Sequence, residues 1–225
     1  MKIRIAIDGP SGSGKSTLAK NIARELGLVY VDTGALYRTV GLFAKRQGVA
    51  LDDAAAVVAH LPEADIAIRY TEEGQRVILN GEDVSDLIRT PEMSMYASAV
   101  SAVNDVRAFL LGIQQKMVAE GGVVMDGRDI GTVIMPNADV KLFMEASPEA
   151  RAHRRFEELQ AKGDTSTEAE VLADIIKRDA NDRSRAIAPA IPAPDAIFVD
   201  NSEMTPAETL AHAIEIIKNK VGITL

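Results

Sequence analysis

Gly9-Pro10-Ser11-Gly12-Ser13-Gly14-Lys15-Ser16-Thr17 fits the spacing G-x-x-x-x-G-K-[ST]. The run before it, Ile3-Arg4-Ile5-Ala6-Ile7, is β-branched and apolar and reads as a buried strand. The run after it, Leu18 to Gly27, has apolar residues at helical spacing and a glycine stop. A strand, this loop and a helix, in that order, form the context in which the pattern binds phosphate. Glycines let the backbone wrap closely around an anion. Free N–H groups at the helix start, with the helix dipole behind them, favour negative charge there. Lys15 then reaches the β- and γ-phosphates of a nucleotide, and the Ser16 hydroxyl can ligate Mg²⁺.

Outward from the loop, Leu28–Val31 reads as a second strand. Asp32-Thr33-Gly34 is a turn with capping chemistry, and Ala35-Leu36-Tyr37-Arg38 opens a helix that runs to about Gln47. Asp52 is expected to cap a helix from Asp53 to His60. Asp65–Tyr70 and Arg76–Leu79 alternate at period two across Thr71-Glu72-Glu73-Gly74-Gln75. That is an antiparallel hairpin, with Asn80-Gly81 turning into a third strand at Asp83-Val84. Such a meander in a βα-type chain indicates an inserted small domain over roughly residues 60–100. Helices are expected over Pro91–Ser101, Asn104–Glu120, Ser147–Lys162 (with Ser147 as N-cap), Glu168–Arg183 (capped by Thr167 or a neighbour) and Pro206–Lys220. Strands are expected at Val123–Met125, Val140–Met144 and Ala196–Asp200. Five short strands alternating with helices predict an α/β fold with a parallel sheet covered on both faces. Ligands of such sheets bind outside the carboxyl ends of the strands.

Composition narrows the function classes. In 225 residues, 47% are hydrophobic, enough for a sizeable core rather than a disordered chain. There is no cysteine, which excludes disulfides and thiolate metal sites. No secretory leader or membrane span is expected, so the expected home is the cytoplasm. A net charge of −8 argues against nucleic-acid and membrane partners and requires that any polyanion site concentrate arginine and lysine locally. The three histidines, His60, His153 and His212, show no ligand spacing. A monomer is expected, because no long apolar surface stripe is evident.

Three groupings meet the demand for local positive charge. Arg38, early in the helix after Thr33, is placed to fork onto a phosphate. Asp126-Gly127-Arg128-Asp129 follows a buried strand. There Asp126 can hold water on Mg²⁺, Arg128 can take a second phosphate, and Asp129 can accept a donor from a base or sugar. Arg151, Arg154 and Arg155 share part of one helix face, and Arg178, Asp182 and Arg185 do so on the next helix. A Gly163-Asp164-Thr165-Ser166 break separates the two helices. The pattern fits either a mobile arginine-bearing flap or a solvated, salt-bridged helix pair, and charge alone does not choose. A phosphate loop with further arginine sites implies two phosphate-bearing substrates. An acceptor that is already a phosphate needs no general base.

These stretches together resemble the bacterial cytidylate (CMP) kinases. The resemblance rests on Ile7 to Lys15, Asp32-Thr33-Gly34-Ala35-Leu36-Tyr37-Arg38, Asp126 to Val133, Arg151-Ala152-His153-Arg154-Arg155, and Arg178-Asp179 through Arg185. It implies a P-loop kinase fold with a five-stranded parallel sheet. It also implies a monophosphate-binding domain with a β insertion over residues 38–102, a helical lid over 151–183, and a core built from 1–37, 103–150 and 184–225. The implied reaction moves the γ-phosphoryl of ATP to CMP or dCMP with Mg²⁺. ATP would lie on Gly9 to Thr17, under Arg154 and Arg155 of the lid. Ser98, Arg107 and Asp129 match residues that read cytosine. Thr33, Arg38, Arg128 and Arg185 match contacts to the acceptor and its phosphate, and Arg178 and Asp182 match ribose contacts. Lys15, Asp126, Arg128 and Arg185 are the groups implied in the transfer, with Ser16 and a water-linked Asp126 at the metal. Thr33 stands where the family often has serine, and the hydroxyl is kept. Two other readings stay open. One is a different small P-loop kinase, of the UMP or shikimate type. The other is a non-catalytic nucleotide-binding switch.

Overall fold

The computed structural model describes residues 2–50, 52–71 and 74–222. Strand β1 (Arg4–Asp8) is buried along almost its whole length and pairs in parallel with β6 (Val123–Gly127) and β7 (Val140–Glu145). β7 pairs in parallel with β8 (Ile197–Asp200). With β2 (Val29–Asp32) these strands form a five-stranded parallel sheet in the order β2-β6-β1-β7-β8. The order puts β1 in the middle, so the phosphate loop leaves from the centre of the sheet. In β1 the side chains of Ile5, Ala6 and Ile7 are fully buried, as a strand covered on both faces requires.

The chain divides into two compact units. The first holds residues 1–29 and 120–225. In it α1 (Lys15–Leu26) packs on β6 and on α8 (Pro206–Val221). Helices α6 (Pro148–Gln160) and α7 (Glu168–Arg183) pack on each other around a small apolar core of Ala152, Val171 and Ile175. Their starts are fixed by local chemistry. The Ser147 hydroxyl accepts from Ala150 N, and Thr167 and Glu170 form a reciprocal capping box. Ser147 caps as expected, and of the residues around the start of α7 it is Thr167 that caps.

The second unit holds residues 30–119. It contains α2 (Thr33–Arg46), α3 (Ala54–His60), a three-stranded antiparallel sheet of β3 (Ile66–Thr71), β4 (Gly74–Leu79) and β5 (Glu82–Asp83), α4 (Pro91–Val100) and α5 (Asn104–Val118). Its core gathers Leu36, Val40, Phe43, Leu79, Ile88 and Leu110. The expected hairpin is present; Glu72 and Glu73 of its turn lie outside the described residues. Two details differ from the sequence reading. Asp53, not Asp52, caps α3, with its carboxylate accepting from Ala56 N. Adjacent aspartates offer the same capping oxygen, so the sequence does not separate them. The third strand is Glu82–Asp83 rather than Asp83-Val84, because Val84 turns its side chain into the core while its N–H still reaches Val77 O.

Helices α2 and α4 approach each other at Gly41. A Cβ there would sit 2.6 Å from Tyr96 Cβ, so only glycine allows this spacing. Gly41→Ala is expected to cost about 1–3 kcal/mol by overpacking, read as a lowered denaturation midpoint with an unchanged slope.

Candidate active site

In the first unit the phosphate loop is tied down through its carbonyl groups. The Ser13 hydroxyl, fully buried, donates to Pro10 O at 3.1 Å. Lys15 Nζ donates to the same oxygen and to Ser13 Oγ. Arg151 Nη1 donates to Ser11 O at 3.0 Å, and Asn201 Nδ2 donates to Ser13 O at 3.1 Å. Burial, and next the charge of Arg128, hold the Lys15 ammonium well below its ordinary range.

The Ser16 hydroxyl donates to Asp126 Oδ2 at 2.8 Å, which brings the expected hydroxyl and strand-end carboxylate together. These are hard oxygen donors of the kind Mg²⁺ takes. Among the described residues no group of three or more His, Cys, Asp or Glu is placed to hold a metal ion. A Mg²⁺ ion held here would draw on few protein oxygens and take the rest of its shell from phosphate and water.

Beyond Asp126 the arginines converge on one carboxylate. Arg128 Nε donates to Asp182 Oδ2 at 2.9 Å, and Arg185 Nη2 donates to Asp182 Oδ1. Burial works to raise the Asp182 carboxyl, but the charges of Arg128 and Arg185 outweigh it and hold Asp182 below the usual range. The charge of Arg178, on the same helix, also acts on Asp182 and on Lys15. Asp129 is buried beside them, and its charge is felt by Asp8.

A cavity of about 460 Å³ opens beside the loop, lined by Lys15, Thr17, Arg154, Asn201, Pro206 and Thr209. Arg154 Nη2 donates to Asn201 O at 2.6 Å and to Ser202 O at 3.2 Å. Arg155 instead pairs with Glu158 on its own helix at 3.0 Å and lies outside that lining. One helix face thus splits into three fates, because Arg151 is buried, Arg154 faces the cavity and Arg155 faces outward.

The second unit carries its own polar cluster. Asp32 caps α2, its Oδ1 accepting from Ala35 N at 3.0 Å, while its Oδ2 takes Arg38 Nη2 at 2.7 Å. Arg89 Nη2 approaches the same oxygen at 3.9 Å. Gln75, at the start of β4, grips the Asp32 main chain from both sides, accepting from its N at 2.9 Å and donating to its O at 3.2 Å. Thr33 is buried next to this cluster in sequence. Arg107 lies over the Tyr37 ring, 5.6 Å from its centroid, and donates to Ser101 O at 3.2 Å. Ser98 sits one turn earlier, in α4.

A model of the family described as cytidylate kinase matches residues 5–219. The chain belongs to the cytidylate kinase family. The cytidylate kinase of Caldicellulosiruptor bescii is 46% identical over 224 residues, covering 98% of this chain and 99% of that one. The cytidylate kinase of Carboxydothermus hydrogenoformans is 46% identical over 218 residues, covering 97% and 98%. Among solved structures, a shikimate kinase from Bacteroides thetaiotaomicron superposes with a TM-score of 0.50 at 14% identity, covering 98% of this chain and 99% of that one. A gluconokinase from Sinorhizobium meliloti gives 0.50 at 15% identity, covering 97% and 93%. At such identities the likeness establishes the P-loop kinase fold.

Three side chains of this arrangement escaped the sequence reading as individual residues, Asp8, Asn201 and Gln75, and the contact of Arg151 with the loop was not read either. Asp8 carried a legible signal, since it is an acid ending an apolar strand. Its carboxylate accepts from Ile130 N and Gly131 N, each at 2.8 Å. That anchors the π-helical turn Ile130–Ile134 and so the start of the segment after Asp129.

Burial pushes the Asp8 carboxyl up to about 6 from its ordinary 3.8, against the two N–H groups that favour its charge. The folded chain therefore holds this proton more tightly than the unfolded one. Stability falls as pH rises through that window, by roughly 3 kcal/mol for the separation cited. Urea unfolding of the wild type, compared with Asp8→Asn, is expected to lose about that much between pH 4 and pH 7. A difference that stays level across that range assigns the titration elsewhere.

Proposed function

We propose that the protein transfers the γ-phosphoryl group of ATP to CMP or dCMP, giving ADP and CDP or dCDP. The observation that carries this reading is the phosphate loop with Lys15 and the Ser16–Asp126 pair, in the same unit as a guanidinium cluster gathered on Asp182. Family membership supports the choice of acceptor.

In this reading ATP lies on Gly9 to Thr17, with its nucleoside in the cavity beside Arg154 and with Arg155 on the covering helix. Lys15 follows the β- and γ-phosphates. Ser16, and Asp126 through water, would hold Mg²⁺, which when bound neutralises charge on the phosphates. An oxygen of the acceptor phosphate forms the new bond to the γ-phosphorus as the bond to the ADP oxygen breaks. That oxygen is ionised near neutral pH, so no general base is needed. Catalysis is alignment plus stabilisation of the moving charge, supplied by Lys15, Arg128 and Arg185. Thr33, Arg38, Arg128 and Arg185 hold the acceptor and its phosphate. Ser98, Arg107 and Asp129 read the cytosine, and Arg178 and Asp182 take the ribose. Asp129 can accept from the cytosine amino group, where uracil presents a carbonyl instead. Residues 38–102 act as the monophosphate-binding domain, 151–183 as the lid, and the remainder as the core. We place the enzyme in the cytoplasm as a monomer acting on small molecules, with no nucleic-acid partner. No described helix is long and apolar enough to cross a membrane.

ADP formation from Mg-ATP is expected with CMP and dCMP and to be at least tenfold weaker with UMP, AMP and shikimate, tested side by side. Equal turnover of UMP, or turnover of shikimate alone, overturns the assignment, and no turnover with any acceptor leaves a nucleotide switch. Arg128→Ala is expected to weaken CMP binding by roughly 1.5–3 kcal/mol, the scale of a charged hydrogen bond. ATP affinity should change little in the same calorimetric series. Asp129→Ala is expected to narrow the CMP-over-UMP ratio of kcat/KM, whereas equal loss on both substrates gives Asp129 a structural role only.

A further inference from the structure

Arg151 belongs by sequence to the helix face that faces a nucleotide, yet its side chain is only 3% exposed and spends its hydrogen-bonding groups on protein. Nε donates to Ala146 O at 2.9 Å, just past the end of β7. Nη1 donates to Ser11 O at 3.0 Å, inside the phosphate loop. Nη2 meets Asp179 Oδ2 at 2.7 Å, on α7. The loop also leans on the arginine directly. Gly12 has φ +76°, and a Cβ there would lie 3.4 Å from Arg151 Cβ. Asp179 stands between Arg178 and Asp182 in sequence, so the helix that carries those groups also anchors the strut.

We propose that Arg151 is a positioning residue that holds the Ser11-Gly12 turn of the phosphate loop in its anion-binding shape, with Asp179 as its anchor. The proposal rests on the reading of this loop as the nucleotide site. A planar guanidinium can meet three acceptors in fixed directions at once, which an ammonium on a flexible stem cannot do. A carbonyl fixed by Arg151 at Ser11 turns away from the space an anion takes and leaves the neighbouring N–H groups to face it. Without that fixation the loop can turn a carbonyl toward the phosphates, and nucleotide binding weakens. The same bonds tie the loop to α7, so disturbing Asp179 acts on the loop without touching it.

The test measures Mg-ADP affinity by calorimetry in the full chain, with CMP affinity in parallel. Arg151→Lys keeps a positive charge near Asp179 but loses the fork. It is expected to raise the Mg-ADP dissociation constant about tenfold, with CMP affinity within twofold of wild type. Asp179→Asn keeps an oxygen for Arg151 but removes the ionic anchor; at least a threefold rise is expected, and it decides the matter if Arg151→Lys yields no folded protein. A change below threefold in the folded variants overturns the proposal. So do equal losses for ADP and CMP, which mark general loosening. A wild type that binds ADP but not CMP defeats the acceptor assignment alone, and the ADP comparison still decides the role of Arg151.

Discussion

A phosphate loop works only if its main-chain N–H groups face the anion, and that requires something else to occupy its carbonyl groups. Three of those carbonyls are taken by side chains, that of Pro10 by Ser13 and Lys15, that of Ser11 by Arg151, and that of Ser13 by Asn201. The partners come from the loop itself, from α6 and from the end of β8. The loop's carbonyl partners therefore come from the assembled first unit and not from the nine motif residues alone.

This anchoring also explains how a chain with net charge −8 builds an anion site. Positive charge is gathered in a buried setting, where each charge acts strongly, and is balanced locally by carboxylates. Asp182 sits between Arg128 and Arg185, and Asp179 holds Arg151. Such buried ion groups add little net stability by themselves. What they provide is direction, because a guanidinium with a fixed carboxylate partner presents its remaining N–H groups along known lines. Lys15 is the exception, since burial, and next the charge of Arg128, hold its ammonium below the ordinary range.

The second unit repeats the device around Asp32. One carboxylate caps a helix and fixes an arginine, and the small antiparallel sheet reaches it through Gln75. The inserted hairpin thus has a mechanical link to the turn that carries Thr33 and Arg38. Its alternating pattern was readable, whereas the contact made by Gln75 was not, since a glutamine at a strand start has no distinctive local signature.

Local pattern alone determined the α/β class, the strand–loop–helix at Gly9 to Thr17, the inserted hairpin, the helix start near Thr167 and the segments that carry arginine. Each of these depends on residues within one or two turns of one another, where spacing sets geometry. Tertiary structure decided which arginine does what. Arg151, Arg154 and Arg155 look alike along the helix, but the first reaches Ser11, 140 residues away, the second Asn201, and the third pairs with Glu158 on its own helix. Burial is collective, so the partner a charged side chain finds depends on how distant segments pack, and no window of sequence contains that information.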